Sequence, residues 1–272
     1  MPKSNLRQIL SFIRAFGVTA GIRLWFSLAA QQVTSSGSTF RLRLPGAVTP
    51  LHLRRQDLAI FWQIMVMREY DFQSFPQASR VMTTYKAILS KGKKPVIVDC
   101  GGHVGLSAIW FATHFPEAVV YVVEPDASNF KNLQQNTEAY ANVVALRGGV
   151  WGDPCSLTIA DTQAGSASFR LQVATAPSSL PQSDLLRGYT VEEIAGVGEL
   201  ERLFIVKIDI EGAEAELFKG PSEWLRNPAL VMIELHDWLM PWQGTSKNLF
   251  RRLAENNFDA GLKGENLLLF QA

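Results

Sequence analysis

The chain of 272 residues is long enough to bury a large core, which suits one large domain or a domain with an extension. Apolar residues make up 47% of it and charged residues 19%, so the chain is globular rather than disordered. Its net charge of +1 shows no basic excess, and we therefore expect no nucleic-acid partner. The two cysteines are too few for a disulfide scaffold and favour a reducing compartment, which predicts a cytoplasmic protein.

The first thirty residues are apolar, but arginines interrupt them. Arg7, Arg14 and Arg23 leave no uncharged run of the roughly 18 residues that a membrane-spanning helix needs. We predict one or two amphipathic helices that pack on the rest of the chain. A helix that lies in a membrane interface is one alternative, and a helix that binds a partner or a second copy of the chain is another.

Two weaker patterns follow. Residues 40–54 alternate around a Pro-Gly pair, which predicts a small hairpin. Asp57 then stands where it would cap a helix through residues 58–70. We assign residues 1–90 to an N-terminal extension, made of helices and this hairpin, and residues 91–272 to the main domain.

Strands alternate with helices from residue 95 onward, which is typical of βαβ units in a parallel sheet. The last two strands are joined by a tight turn, so one C-terminal strand should run antiparallel to its neighbour. The stretch between residues 153 and 198 is rich in Ser, Gly, Pro and Ala, and we expect it to form a lid or a substrate-specific insertion. The predicted strands are VIVD (96–99), AVVYVVE (118–124), NVVALRG (142–148), LFIVKID (203–209), ALVMIELH (229–236), FDAGL (258–262) and LLLFQA (267–272).

A glycine-rich turn connects the first strong strand to the next helix. Asp99 ends that strand, and Gly101, Gly102 and Gly105 follow it, where bare backbone lets the chain turn sharply and lets a ligand approach closely. The next strand ends in Glu124, and a carboxylate about 20 residues beyond such glycines is where a ribose diol is usually bound. This pattern predicts a nucleoside cofactor, although glycines here can also serve a tight strand–helix turn alone.

Three details favour S-adenosylmethionine over NAD as that cofactor. The glycines are spaced G-G-x-x-G, so the dinucleotide pattern G-x-G-x-x-G fails at its second glycine. A buried Asp99 would repel a pyrophosphate but would favour a cationic sulfonium or amino group. Glu124 is closely followed by Asp126 and Ser128, either of which could cap the next helix.

A second group of charged residues lies on the segment FIVKIDIEGAE, residues 204–214, and on the strand after it. Lys207, Asp209 and Glu211 share one face of a strand that a parallel sheet buries, so the lysine must be paired or functional. The other members are Glu214, in the first turn of the next helix, and Glu234 and His236, which share a face of the following strand. Taken alone, Glu214 could serve only as a favourable charge at a helix start, and His236 could serve only as a hydrogen-bonding residue at a strand end. Taken together, the charged residues of both strands predict a cluster at the edge of the sheet that holds the cofactor.

The sequence resembles the FkbM family of S-adenosylmethionine-dependent methyltransferases over about residues 95–237. The resemblance is carried by VIVDCGGHVGLSAIW, VEPDASNFKNLQQN, FIVKIDIEGAEAELFKG and MIELHDW, although the family usually has Asn where this chain has His103. It implies the class I methyltransferase fold, which is Rossmann-like α/β with a seven-stranded, mostly parallel sheet. It also implies methyl transfer to a hydroxyl of a sugar or of a polyketide- or lipid-like metabolite. The N-terminal extension would then serve acceptor binding or assembly, including a homo-oligomer.

Individual roles follow from this combination. His236 and Asp209 are the candidates for the base that takes the acceptor's proton. Lys207 would keep Asp209 in its anionic form, and we expect nearby anions to raise the pKa of His236. Glu211 and Glu214 complete the catalytic set, and a divalent metal shared by Asp209, Glu211 and His236 is an alternative use of these groups. The expected cofactor-binding residues are Asp99, Cys100, Gly101, Gly102, His103, Gly105, Glu124, Pro125, Asp126, Gly149, Val150 and Asp209.

Two other functions remain open to this sequence. An NAD-dependent oxidoreductase is one, and the broken glycine pattern argues against it. A nucleoside-cofactor-binding module without turnover is the other, and the retained charged residues Lys207, Asp209, Glu211 and His236 argue against that. If the protein is a methyltransferase, we expect a small-molecule acceptor as its partner.

Overall fold

The computed structural model describes residues 5–34, 39–160, 170–175, 181, 184–196 and 198–272. The helices are α1 (Asn5–Phe16), α2 (Val18–Thr34), α3 (Leu58–Phe61), α4 (Ala78–Ser90), α5 (Leu106–His114), α6 (Ala127–Thr137), α7 (Val191–Ala195), α8 (Glu214–Leu217) and α9 (Lys247–Ala254). The strands are β1 (Thr39–Leu42), β2 (Leu51–Arg54), β3 (Val96–Cys100), β4 (Val119–Glu124), β5 (Val143–Val150), β6 (Cys155–Ile159), β7 (Leu171–Val173), β8 (Leu186–Tyr189), β9 (Leu203–Ile208), β10 (Leu230–Glu234), β11 (Phe258–Lys263) and β12 (Asn266–Gln271). Within these ranges, every helix is too short or too polar to cross a membrane.

The main sheet has the strand order β11-β12-β10-β9-β3-β4-β5-β8-β6-β7 among the described residues. The first seven of these are the strands that the sequence predicts. They are parallel except for β12, which runs antiparallel to both neighbours, β10 and β11. The expected seven-stranded, mostly parallel sheet with one antiparallel C-terminal strand is therefore confirmed.

Three further strands extend the sheet beyond β5. They come from the stretch between residues 153 and 198, which the sequence analysis expects to be a lid or an insertion. β8 pairs parallel with β5, β6 pairs antiparallel with β8, and β7 with β6. The described part of this stretch is therefore in large part an edge of the sheet, while residues 161–169, 176–180, 182–183 and 197 of the expected lid lie outside the described residues.

Helices cover both faces of the sheet because its central strands are apolar on both sides. β3 is buried at every position, and its alternate residues enter different cores. Ile97 packs in the core that contains Ile109 of α5, whereas Val98 packs in the core that contains Ile194 of α7. Burial on both faces explains why such strands are continuous hydrophobic runs in the sequence.

The N-terminal helices pack on the main domain, as predicted. Phe12 of α1 lies edge-on to Trp62, with ring centroids 5.6 Å apart, and Leu24 of α2 is buried in the same core as Ile97. The two helices approach so closely that a Cβ on Gly21 would lie 2.5 Å from the carbonyl oxygen of Phe12. The predicted hairpin is present as the antiparallel pair β1–β2. The extension thus shares a core with the main domain, and the division at residue 90 stays a prediction.

Asp57 does not cap the helix that follows it, contrary to the expectation. A turn of 3-10 helix over Arg55–Asp57 precedes α3, so the backbone of Asp57 is already helical. Its side chain points toward Arg54, the residue before that turn. Its fully buried carboxylate accepts hydrogen bonds from the backbone N–H of Arg54 at 2.7 Å and from the Arg54 guanidinium at 2.8 Å. The helix itself is shorter than expected, because α3 passes into a wider π-turn at Trp62–Val66.

Candidate active site

A cavity of about 450 Å³ opens where the parallel strands end. Its wall includes one residue at the carboxyl end of each of five strands, namely Gly101 after β3, Glu124 of β4, Val150 of β5, Asp209 after β9 and Glu234 of β10. Ligands of open α/β sheets bind at this edge, and the volume suits a small-molecule site. The structure therefore brings both sequence patterns, the glycine turn and the charged cluster, to one cavity.

The glycines after β3 mainly let the chain's own elements approach one another. Gly101 has φ +90°, and a Cβ there would lie 1.8 Å from the carbonyl oxygen of Asp209. A Cβ on Gly102 would lie 2.1 Å from Cγ2 of Val122, and one on Gly105 would crowd α6 at 3.1 Å. Of these three glycines, Gly101 lines the cavity, whereas Gly102 and Gly105 do not. The cofactor-binding role of all three stays a prediction, and Gly101 is the one of them that borders the cavity.

His103 contributes to the cavity through its backbone as well as its side chain. Its φ of +47° lies in the left-handed region, which Asn tolerates well, and Asn is the residue that the family usually carries here. Its N–H donates to Oε2 of Glu124 at 2.8 Å. Burial, with the nearby Arg54 charge, outweighs Asp57 and lowers the pKa of the imidazole to about 4. The side chain is therefore neutral in the physiological range.

Glu124 is held by three donors and keeps room for a fourth. Oε1 accepts hydrogen bonds from the backbone N–H of Asp126 at 3.0 Å and from Nδ2 of Asn129 at 3.2 Å, while Oε2 accepts the one from His103. A carboxylate offers about four acceptor positions, so Oε2 can accept one more hydrogen bond on the cavity side. Burial raises the pKa of Glu124 to about 7, although these hydrogen bonds oppose the shift.

The other expected cofactor-binding residues divide into two groups. Pro125, Gly149 and Val150 line the cavity, as predicted. Asp126 does not line it; its carboxylate accepts a hydrogen bond from the backbone at the start of α6 at 2.7 Å, which confirms it as the helix cap. Cys100 is also absent from the wall, because its side chain is fully buried in the core of the sheet.

Asp99 does not line the cavity either, and its expected attraction for a cationic cofactor stays a prediction. Its Oδ1 lies 3.2 Å from Nζ of Lys207, its partner on β9, and its Oδ2 accepts a hydrogen bond from Ser107 at 2.5 Å. Lys207 also lies 3.4 Å from Oδ2 of Asp209 and donates to the carbonyl oxygen of Gly101. Burial alone would lower the pKa of Lys207, but these two aspartates raise it well above its ordinary value. The lysine is paired, as predicted, and it balances Asp99 inside the protein.

Four carboxylates surround the imidazole of His236. Its Nδ1 lies 2.8 Å from Oε1 of Glu214, and both side chains are almost fully buried. Its Nε2 faces Oδ1 of Asp209 at 3.6 Å, and Oε2 of Glu211 and Oε1 of Glu234 at 3.7 Å each. We call these five residues the His236 cluster. The structure thus brings together every catalytic candidate from β10 and from the β9–α8 segment, with Lys207 beneath them.

The carboxylates set the protonation of this cluster. Burial alone would lower the pKa of His236, but the hydrogen bond to Glu214 and the charges of Glu214, Asp209 and Glu211 raise it to about 9, the direction that the sequence predicts. Burial, with the Asp209 charge, raises the pKa of Glu211 to about 7 and that of Glu234 to about 8. An imidazole that is protonated at neutral pH cannot accept a proton, which argues against His236 as the general base in this state.

The sequence analysis missed part of the cavity wall. Ala59, Ile60 and Gln63 reach it from the extension, and Glu265 reaches it from the turn between β11 and β12. Neither region carries a motif, so nothing in the local sequence points to a site. Trp238 also lines the cavity, and its place two residues after His236 in MIELHDW was a signal that could have identified it.

The strand order and the position of the cavity define a class of protein: this chain has the class I methyltransferase fold. The methyltransferase FkbM domain matches residues 99–259, which is more than half of the chain. The chain therefore belongs to the FkbM methyltransferase family. This membership favours methyl transfer over both alternatives, the NAD-dependent oxidoreductase and the module without turnover.

Curated proteins similar to this chain are methyltransferases too. Hexuronic acid methyltransferase AglP of Haloferax volcanii is 27% identical over 151 residues, which is 54% of this chain and 58% of that protein. Methyltransferase 1 of Beauveria bassiana is 22% identical over 176 residues, which is 58% of this chain and 64% of that protein. Methyltransferase sdnD of Sordaria araneosa is 27% identical over 164 residues, 47% of this chain and 61% of that protein. The chain thus spans less than two thirds of the length of these relatives.

Solved structures give more distant likenesses. TYW2 of P. horikoshii in complex with MeSAdo is 12% identical with a TM-score of 0.36, covering 88% of this chain and 74% of that chain. TrmK of M. capricolum in complex with S-adenosyl-homocysteine is 10% identical with a TM-score of 0.33, covering 70% of this chain and 66% of that chain. At this distance they add nothing to the description of the site.

Proposed function

We propose that the chain transfers a methyl group from S-adenosylmethionine to a hydroxyl of a small metabolite. A sugar is the leading acceptor class, ahead of polyketide- and lipid-like alcohols. One observation carries the proposal: a single cavity holds both Glu124, with its spare acceptor position, and the His236 cluster. A nucleoside donor and an acceptor hydroxyl need two such neighbouring sites.

The residues of the cavity fit the donor. Glu124 offers its remaining acceptor position to a ribose hydroxyl, and Gly101 offers bare backbone. Gly149, Val150 and Leu171 form a small apolar wall on the β5 side, which suits an adenine ring. When bound, the donor supplies an electrophilic methyl group on a sulfonium. The contribution of the protein is chiefly to hold donor and acceptor in line, for which effective molarities reach about 10⁵ M or more.

The His236 cluster serves the acceptor in this proposal. An acceptor hydroxyl must lose its proton as the new O–C bond forms, and Glu211, whose pKa of about 7 leaves it ionised at and above neutral pH, lines the cavity where it can take that proton. A positive charge at Nε2 of His236 stabilises the negative charge that develops on the acceptor oxygen. His236 therefore orients and stabilises the acceptor, whereas the sequence analysis assigned it the role of base.

Two observations support a sugar acceptor. Trp238 lines the cavity and is 71% exposed, so a broad aromatic face is free at its mouth. The apolar face of a sugar ring packs well on such a surface, while its hydroxyls remain free for polar groups. The similar protein from Haloferax volcanii is, by its name, a hexuronic acid methyltransferase.

A labelling experiment tests the proposal. The purified chain is incubated with methyl-labelled S-adenosylmethionine and with hexuronic acids, neutral glycosides, hydroxylated polyketides or hydroxylated lipids, and products are identified by mass spectrometry. We expect a labelled methyl ether on a sugar, and none with the Asp209→Asn variant. Label on nitrogen or carbon would overturn the hydroxyl assignment. Binding of S-adenosylhomocysteine with no transfer to any acceptor would favour a module without turnover, and no binding at all would overturn the whole proposal.

A further inference from the structure

Three side chains of the His236 cluster converge from two strand ends. Asp209 directly follows β9, Glu234 is the last residue of β10, and His236 lies two residues further. Each offers one ligand atom, and these atoms all lie within 4.8 Å of one another. The register of the parallel pair β9–β10 fixes this convergence, because Ile208 pairs with Ile233, the residues just before Asp209 and Glu234.

The imidazole of His236 gives an independent observation. Its ring is 2% exposed, and Nδ1 is occupied by Glu214. Nε2 is directed among three carboxylate oxygens at 3.6 and 3.7 Å, and no described residue comes within hydrogen-bond distance of it. The side chain is buried, and its Nε2 faces carboxylates of the cavity wall without a hydrogen bond, which indicates a site for a ligand between them.

We propose that Asp209, Glu234 and Nε2 of His236 bind a divalent cation, and that Glu214 holds the imidazole for it. Glu214 accepts the Nδ1–H, so a cation that displaces the proton from Nε2 finds the lone pair of the ring there, on the atom that faces the other two ligands. Metal-binding histidines commonly donate their second ring N–H to such a carboxylate. This role also accounts for a glutamate that is 1% exposed at the start of a helix of only four residues.

The distances agree with one shared ion. Ligand atoms bound at about 2.1 Å lie roughly 3.0 Å apart at octahedral angles and roughly 3.4 Å apart at tetrahedral ones. Nε2 of His236 lies 3.6 Å from Asp209 and 3.7 Å from Glu234. The oxygens of Asp209 and Glu234 lie within 4.8 Å of each other, so side-chain shifts on the order of an ångström would complete the coordination. Larger backbone movements are not needed.

The charge of the cluster also calls for a cation. Four carboxylates lie around one imidazole, and Lys207, which lies 3.4 Å from Asp209, is shared with Asp99. Buried negative charge is costly unless it is paired or coordinates a metal. A divalent ion among Asp209, Glu234 and His236 would supply the missing positive charge.

The donor set selects the class of ion. Carboxylates suit Mg²⁺ and Mn²⁺, whereas an imidazole suits transition metals such as Mn²⁺, Fe²⁺ or Zn²⁺. Mn²⁺ belongs to both groups and is the probe of choice. Three protein ligands leave coordination positions open toward the cavity. If the proposed function holds, an acceptor hydroxyl would bind there, and the ion would lower its pKa.

Binding of Mn²⁺ tests the site without donor or acceptor. The full chain is freed of metal with a chelator, titrated with Mn²⁺, and followed by calorimetry and electron paramagnetic resonance. We expect one bound Mn²⁺ whose pulsed spectra show coupling to an imidazole nitrogen. His236→Asn should remove that coupling, and His236→Asn and Glu234→Gln should each weaken binding at least about tenfold. Glu214→Gln should weaken it by about 10- to 100-fold, as expected for a partner that orients a ligand.

A matched control separates the site from general negative charge. Glu216→Gln removes a carboxylate from the same helix as Glu214, but one that pairs with Lys219 outside the cavity, and it should bind Mn²⁺ like the parent chain. Each variant is first shown to be folded by its thermal transition. Absence of bound Mn²⁺, or equal binding by the folded His236→Asn and Glu234→Gln variants, would overturn the site.

The same experiment keeps the two proposals apart. Mn²⁺ bound with the imidazole coupling, in a chain that methylates no acceptor, would support the metal site and count against the proposed function. Suppose instead that protein freed of metal with a chelator transfers methyl groups at the full rate, and that added Mn²⁺ does not increase this rate. That result would overturn the role of the ion in the reaction and would still support methyl transfer.

Discussion

At the scale of single residues, Glu124 gives the site a built-in dependence on pH. Its carboxylate is 5% exposed, and burial raises its pKa to about 7, so the ionised form dominates above that pH and the neutral acid below it. The ionised form is the better acceptor for a ribose hydroxyl. We therefore expect the affinity for S-adenosylhomocysteine to level off above about pH 7 and to fall below it, approaching tenfold per pH unit. Calorimetry across this range measures it.

The Glu124→Gln variant should lower the affinity for S-adenosylhomocysteine and remove its dependence on pH. Above the pKa we expect binding weaker by about 1–3 kcal/mol, because a charged acceptor is lost. The control is Asp126→Asn, which changes a neighbouring acid that caps α6 and does not line the cavity. Asn caps helices as well as Asp does, so this control should fold and bind like the parent. Equal affinity of Glu124→Gln and the parent chain would remove Glu124 from the site.

Gly101 is expected to tolerate no side chain. Its φ is +90°, and a Cβ would lie 1.8 Å from the backbone oxygen of Asp209, which cannot rotate away. Gly92 has a similar φ of +70° but nothing within 4 Å of a Cβ, so Gly92→Ala measures the conformational strain alone, about 1–2 kcal/mol. We expect Gly101→Ala to cost about 1–3 kcal/mol more, from overpacking. Urea unfolding of both variants gives the comparison, and equal losses would contradict the close strand contact.

The sequence patterns were a good guide to which residues lie near the cavity. They were a poorer guide to which side chains contact one another. Glycines, an acid at the end of β4 and a charged strand are local features, so Gly101, Glu124 and Asp209 were identified correctly as cavity residues. The ion pair of Asp99 was missed because its partner, Lys207, lies on the neighbouring strand β9, and only the register of that pair shows that the two charges meet.

At the scale of elements, the strands beyond β5 contribute a wall that the sequence did not suggest. Leu171 of β7 lines the cavity, and a Cβ on Gly149 would lie 2.3 Å from its Cδ1. We expect Leu171→Ala to weaken binding of S-adenosylhomocysteine, because part of the apolar contact with the adenine ring is lost. Val173→Ala, at a position 48% exposed on the same strand, should leave the affinity unchanged. Calorimetry on both variants tests this, and an unaffected Leu171→Ala would place the adenine elsewhere.

The difference between predicted and missed strands has a physical cause. Strands such as β3 and β9 are buried on both faces and leave uninterrupted apolar runs in the sequence. β6 and β7 have only one buried residue between them, Leu157, so they carry little apolar signal, and their pairing depends on partners elsewhere in the chain. The small hairpin β1–β2 was found because its Pro-Gly turn is a local signal.

At the scale of the whole molecule, the extension and the main domain are joined in one core, and the cavity draws on both. Arg54 donates to Oδ1 of Asn129 at 2.6 Å, and Asn129 donates to Glu124. Ile60 and Gln63 contribute to the wall. The part of the extension that follows β2 therefore belongs to the proposed cofactor site. The described cavity wall contains no residue of α1 or α2, and Phe12 of α1 packs on Trp62.

Within α1, one side chain should account for much of the docking energy. Phe12 is 3% exposed and packs on Trp62, so Phe12→Ala should lower the free energy of unfolding by about 3–5 kcal/mol. Leu10 is 44% exposed on the same helix, and Leu10→Ala should change the free energy of unfolding by less than about 0.5 kcal/mol. Equal effects in urea unfolding would show that α1 does not dock in solution.

Removal of residues 1–35 should then separate stability from cofactor binding. The truncation uncovers Trp62 and the part of the core that Leu24 and Leu28 fill, so we expect a lower Tm, binding of a hydrophobic dye, and impaired acceptor binding, solubility or assembly. Affinity for S-adenosylhomocysteine should persist, because Arg54, Ile60 and every other residue of the proposed cofactor site lie beyond the cut. Calorimetry on the truncated chain below its Tm measures this. Loss of cofactor affinity in a chain that is still folded would show that α1 and α2 shape the cavity themselves.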